Sequence, residues 1–277
     1  MFCNNNNQIK CNFLLILIFG FITFNSCENE ESRNELLEKN KNDAFEESFE
    51  ETAKIHNEAM EFIFYKLNTS KKDFSKSTGK KLTKEFIKKN EQLKGRMDSI
   101  ADSIAMEEIE RITEFRKSKK TSSNYLSHTI TKYRKYLSEK QENLLYRVNK
   151  IVNSKNSVDT IIKKLEQIKN EECLKLPKKE RKVIYAATCV GIKSIPYWKK
   201  HGNAWSNALN SNKSSLEAQF DWGSVGESDI SGAVGGAIGG AISGSFAGGI
   251  GAGPGAIAGG IGGGIGTSAT DAIKQLL

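Results

Sequence analysis

Apolar and polar positions alternate along most of this chain with the period of an α-helix. Phe45, Phe49, Ala53, His56, Met60, Ile63 and Leu67 recur at spacings of three and four, and Leu82, Phe86, Leu93, Met97, Ile100 and Ile104 at three, four and seven. Those spacings gather apolar side chains on one face, so each segment is predicted to be an amphipathic helix. Further stripes run over 125–152, 158–168 and 183–195. Polar breaks rich in Ser, Asn and Lys, or holding Pro177, separate them at 68–79, 117–124, 153–157 and 176–179. The pattern predicts an all-α protein whose body, 45–228, is an extended antiparallel helical bundle. A partner-binding coiled coil is the other arrangement, although no strict heptad runs long enough to demand it.

Residues 13–24 (FLLILIFGFITF) depart from this pattern, forming an apolar run preceded by Lys10. The run has the length of a signal-peptide core and is too short to span a bilayer comfortably. After it comes Phe24-Asn25-Ser26-Cys27. A small residue directly before cysteine resembles the lipobox of bacterial lipoproteins, with Phe24 standing where many lipoboxes have Leu. The resemblance implies removal of a signal peptide, 1–26, and a lipid thioether on Cys27. Glu28, Glu30 and Glu31 then form an acidic cluster similar to the surface-export signal of Bacteroidota lipoproteins. As plain chemistry the same cluster reads as a solvated tether, 27–44. The expected location is the outer membrane, lipid-anchored at the cell surface, with its periplasmic face as the alternative.

The second departure is the tail, 229–277. No charged side chain occurs over 230–270, and seventeen glycines fall between 232 and 266. Gly232, Gly236, Gly240, Gly244 and Gly248 recur every four residues, as do Gly251, Gly255, Gly259 and Gly263. That spacing lines glycine along one helix face, where two backbones can approach closely, as in small-xxx-small membrane packing. Pro254 divides the run. Residues 230–250 would reach about 31 Å as a helix, matching a hydrocarbon core, and 255–270 about 24 Å. In water each interior glycine costs a helix roughly 0.8–1 kcal/mol against alanine. A close-packed apolar helical hairpin, associated with membrane, is therefore the expectation. The tail resembles the glycine-zipper two-helix segments of outer-membrane lipoproteins and glycine-zipper bacteriocin-like peptides. That resemblance implies membrane lipid as a partner and homo-oligomers through the zipper. Tyr197, Trp198, Trp205 and Trp222, just upstream, suit either an interfacial belt or a packed core.

Charge refines the picture. The chain of 277 residues carries a formal +8, yet residues 28–61 hold twelve acids against four bases. An acidic front and basic remainder can pair internally or meet anionic surfaces. Export makes lipid, not nucleic acid, the expected partner. Besides Cys27, the body holds Cys173 and Cys189, which could bridge in an oxidising envelope or stay as small buried residues.

Catalytic constellations are missing from the sequence. His56, His128 and His201 are scattered, with no metal-ligand spacing and no nucleophile elbow. Gly251-Ala252-Gly253-Pro254-Gly255-Ala256 matches a dinucleotide fingerprint in form, without the βαβ context that gives it meaning. No enzyme activity, metal, cofactor or small-molecule substrate is expected. Asp98-Ser99-Ile100, Asp102-Ser103-Ile104 and Asp159-Thr160-Ile161 resemble the sequon of Bacteroidota O-glycosylation, which makes Ser99, Ser103 and Thr160 acceptor candidates. Two functions follow as expectations: a lipid-anchored envelope protein whose tail inserts in or packs against membrane, or a pore-forming, bacteriocin-like toxin whose helical body holds the hairpin until contact.

Overall fold

Small polar side chains set where several helices begin. Ser138 Oγ accepts the Gln141 N–H at 3.3 Å while Gln141 Oε1 accepts the Ser138 N–H at 2.8 Å, a reciprocal capping box that opens α5 (Glu139–Val152). Ser157 Oγ accepts the Thr160 N–H at 3.3 Å and opens α6 (Val158–Gln167). Asp221 accepts the Ser224 N–H at 3.0 Å at the head of α8 (Trp222–Ser245). The other helices are α1 (47–69), α2 (Thr78–Lys89), α3 (Ser99–Ser118), α4 (Tyr125–Tyr133), α7 (Arg181–Asn210) and α9 (Ala252–Leu276). The protein is all-α.

The computed structural model describes residues 47–69, 78–91, 93, 99–118, 125–210, 221–245 and 252–276. The signal segment, the tether, Cys27, Glu28, Glu30, Glu31, Gly248 and Gly251 lie outside the described residues. From Ser48 onward the chain is one unit. The boundary expected between 228 and 229 falls inside α8.

Two elements differ in extent from their stripes. The stripe over 125–152 is cut at Ser138 into α4 and α5. α7 outruns its stripe, continuing through Pro196 to Asn210. Proline removes one i→i−4 hydrogen bond, but Ile195, Tyr197 and Trp198 on either side of it are buried and hold the helix in line.

α8 and α9 lie side by side and antiparallel at the centre. α3, α4 and α7 pack on α8, and α2, α3 and α7 on α9. α1 reaches both through His56 and Met60. Residues 224–238 and 258–273 are buried without exception, as expected for helices apolar on every side. α5 and α6 pack on α7. Gly191 of α7 marks a three-helix junction, because a Cβ there would sit 2.8 Å from Ile230 Cδ1 and 3.1 Å from Leu165 Cδ1. Tyr197, Trp198 and Trp205 belong to a core cluster with α1, α2 and α9, and the two indoles meet edge-on at 5.1 Å. Their rings therefore take the packed-core role.

Ser138 Oγ also donates to Glu180 Oε2 at 2.6 Å, tying the head of α5 to the turn before α7. Ser138→Ala is expected to lower the unfolding free energy by about 1–2 kcal/mol. Urea denaturation measures this, and an unchanged midpoint would contradict the capping role.

Candidate functional site

The glycine positions of α8 and α9 meet in pairs. A Cβ built on Gly232, Gly236 or Gly240 would stand 2.8, 2.5 and 2.5 Å from the carbonyl carbons of Gly263, Gly259 and Gly255. From the other helix, a Cβ on Gly255, Gly259 or Gly263 would stand 3.1, 2.9 and 3.1 Å from the carbonyl carbons of Gly240, Gly236 and Gly232. The facing carbonyl oxygen would lie under 3.0 Å from the Cβ at each of the six, closer than real Cβ contacts come, so only hydrogen fits at these positions. Gly244 lies in α8, one turn beyond the last of these pairs. The register is antiparallel and continuous through the three pairs. Backbone contact of this kind gathers dispersion energy over every atom along the seam, which offsets the helix-breaking tendency of glycine.

Around the hairpin stands protein. Gly239 faces Ile104 of α3, with a Cβ there falling 3.2 Å from Ile104 Cγ2, and Gly264 faces His56 of α1, at 3.5 Å from Cδ2. Ile261, Ile265, Ala269, Ala272 and Ile273 share a cluster with Ile63 and Leu67 of α1 and Leu82, Phe86 and Ile87 of α2. Among the described residues no helix is long and apolar enough to cross a membrane.

One end of the hairpin is polar, and its side chains bolt it to the surrounding helices. Glu227 Oε1 accepts the Leu126 N–H at 3.0 Å, placing a buried carboxylate on the first turn of α4, where the helix dipole favours negative charge. Ser231 and Thr129 share a hydrogen bond of 2.6 Å. Across the seam, Ser228 donates to Asp271 Oδ2 at 2.8 Å and Thr267 to the Ser228 carbonyl at 2.9 Å. Ser268 Oγ donates to Met60 Sδ at 3.1 Å, and Lys274 Nζ to the Thr113 carbonyl at 3.0 Å. Gln275 closes the end, accepting the Asp221 N–H at 3.0 Å.

Asp229 is fully buried and holds two outer helices at once. Its Oδ2 accepts the Trp198 indole N–H at 2.7 Å and stands 3.5 Å from His56 Nε2. His56 Nδ1 is 3.1 Å from Asn57 Oδ1. Burial works against the imidazolium, yet the charge and hydrogen bond of Asp229, with that of Asn57, outweigh it and raise the histidine pKa. A second buried pair, Glu108 with Arg111 on α3, fills the space left by Gly235. Tyr133 donates to Glu108 at 2.9 Å, and Arg111 donates to Tyr125 at 3.3 Å. Isolated charges in such places would be prohibitive, so the paired groups define one arrangement of helices.

The remaining candidates lie apart from the hairpin seam. Cys173 and Cys189 are both buried thiols, not a disulfide. Cys189 Sγ stands 3.7 Å from Glu50 Oε1, in an ion pair with Lys169, and burial pushes its thiol pKa up. It is therefore a poor nucleophile. Ser99 opens α3, Ser103 is exposed on the same helix, and Thr160 is exposed within the capped turn of α6. Among the described residues no three His, Cys, Asp or Glu side chains are grouped to hold a metal. In the sequence Asp229 and Asp271 bound the uncharged run, and Glu227 stands two residues before Asp229. Their paired occurrence on both sides of that run is the signal of a shared polar end.

Two predictions follow from this geometry. Gly236→Ala forces a methyl into the Gly259 carbonyl and should destabilise by about 3 kcal/mol. Gly260→Ala, whose Cβ would meet nothing nearer than 3.4 Å, should be neutral or stabilising by up to about 1 kcal/mol. Similar losses for both in chemical denaturation would show that the seam is not tight. The raised His56 pKa means that its pairing stabilises fully below the ordinary histidine value of about 6.5 and is lost as pH rises through the folded value. Stability of the wild type should therefore fall relative to His56→Gln from pH 6 to 9, from an advantage of about 3 kcal/mol at the acid end. Parallel pH profiles would contradict the pairing.

No protein-family model, curated protein or solved structure matches this chain.

Proposed function

We propose that this chain is a membrane-active envelope protein, tethered by lipid on Cys27, that stores a glycine-zipper hairpin inside a helical sheath and delivers it to a bilayer on contact. Its role in this reading is toxic or permeabilising, not catalytic. The observation that carries the reading is the complete burial of 224–238 and 258–273 beneath helices of the same chain. A hairpin serving only as a permanent membrane anchor would have no use for that cover.

Several features support a stored and releasable state. The seam between α8 and α9 is made by the hairpin with itself, through the three pairs of glycines. It can therefore survive transfer to lipid as one unit, where the backbone must satisfy its own hydrogen bonds. Among the described residues no helix is long and apolar enough to cross a membrane. Entry in this reading is by zippered pairs, which also provide a route to oligomers. The half-buried end near Ala241 and Ile242 lacks carboxylates, whereas the other end holds Glu227, Asp229 and Asp271. Entry would begin at the apolar end.

A reversible lock tests the proposal. Ile104→Cys with Gly239→Cys places two sulfurs across α3 and α8 at a site of close approach. Oxidised, this variant should bind liposomes without releasing an entrapped dye; reduced, it should release dye as the wild type does. Equal leakage in both redox states, or no leakage from the wild type, would refute the stored-hairpin reading.

A further inference from the structure

α2 is amphipathic in an unusual position. Its inner face, Leu82, Phe86 and Ile87, packs in one cluster with Ile261, Ile265, Ala269, Ala272 and Ile273 of α9. The two helices touch through backbone at Gly79, where a Cβ would stand 3.3 Å from Thr270 Cα. The helix carries five lysines, Lys80, Lys81, Lys84, Lys88 and Lys89, against the single carboxylate Glu85. Glu85 is engaged by Lys89 at 2.8 Å and by Lys66 of α1 at 3.0 Å, and Lys80 meets Glu110 of α3 at 2.9 Å. Lys81 and Lys88 are exposed. Lys80, Lys81, Lys84, Glu85 and Lys88 form one open, shallow face of the helix.

We infer that α2 is the membrane-sensing cover of the hairpin, and that its lysine face docks on a bilayer of phosphate-bearing anionic lipids. This rests on the stored-hairpin reading and supplies its trigger. Charge complementarity selects the occupant: a basic amphipathic helix gains affinity from anionic headgroups on one face and from apolar burial on the other. In α2 the apolar face already has a partner, α9. When the lysines bring the helix to an anionic surface, the face that covers Ile261, Ile265 and Ala269 can exchange that contact for the acyl boundary. Burial is then conserved for α2 while α9 is uncovered beside the lipid. Sensing and release are thus one event, and neutral membranes do not start it.

The experiment uses the full chain with vesicles of phosphatidylglycerol and phosphatidylcholine, compared with phosphatidylcholine alone, and reads co-sedimentation separately from dye release. Lys81→Glu/Lys88→Glu should lower partition onto the anionic vesicles by at least about thirtyfold and remove most of its salt dependence. Lys163→Glu/Lys164→Glu, the same charge change on exposed positions of α6, should leave partition within about threefold of wild type. Loss in both variants would mean net charge and not this face; loss in neither would remove α2 from recognition. Either result overturns the proposal, as does displacement by millimolar inorganic phosphate, which would make the lysine face a small-anion site. Gly79→Cys/Thr270→Cys, oxidised, keeps the lysine face but ties α2 to α9, so it should bind as the wild type and release no dye. Dye release despite this tie would also overturn the cover role. If the α2 variants bind normally while the α3–α8 lock still blocks leakage, the sensing role fails and the stored hairpin stands.

Discussion

Backbone against backbone, at Gly232–Gly263, Gly236–Gly259 and Gly240–Gly255, is the contact on which everything else in this molecule depends. It brings α8 and α9 closer than any pair of side-chain-bearing helices can come, and makes two apolar helices into a single thin element. A thin element can be surrounded: α1, α2, α3, α4 and α7 all reach it. Larger residues along the seam would push the pair apart, and the outer helices would have to spread to close over it.

Polar chemistry then determines how the pair is held. Buried carboxylates are expensive unless met by donors, and here the donors belong to different helices: the Leu126 N–H of α4 for Glu227, the Trp198 indole of α7 and the His56 ring of α1 for Asp229. Each contact at that end fixes an outer helix to the hairpin. Towards the opposite end the hairpin also meets apolar side chains, as where Gly239 approaches Ile104 of α3. The polar contacts of Glu227 and Asp229 thus tie three outer helices, α1, α4 and α7, to one end of the hairpin.

Much of this was legible in the sequence and some was not, for physical reasons. The all-α class followed from the 3.6-residue period, and the glycines that face one another are among those singled out by four-residue spacing. What surrounds the hairpin was not legible, because Ile, Val and Ala present the same outer surface to lipid and to a protein interior. The residues that decide it are Glu227, Asp229 and Asp271, and their partners Leu126 and Trp198 are 101 and 31 residues away in sequence from Glu227 and Asp229 respectively. The break at Ser138 lay hidden inside a continuous apolar stripe, although Ser138-x-x-Gln141 is itself a capping signal. The stripe over 183–195 ends at Pro196, yet α7 continues through it because Tyr197 and Trp198 beyond it are buried in the core.

The central claim is that the glycine hairpin is the core of the folded protein in water. Amide hydrogen exchange of the full chain without lipid tests it most directly, because the slowest amides report the last structure to open. The account predicts that residues 224–238 and 258–273 exchange only with global unfolding, as slowly as any amides in α7. Rapid exchange across both hairpin segments while α5, α6 and α7 stay protected would contradict it.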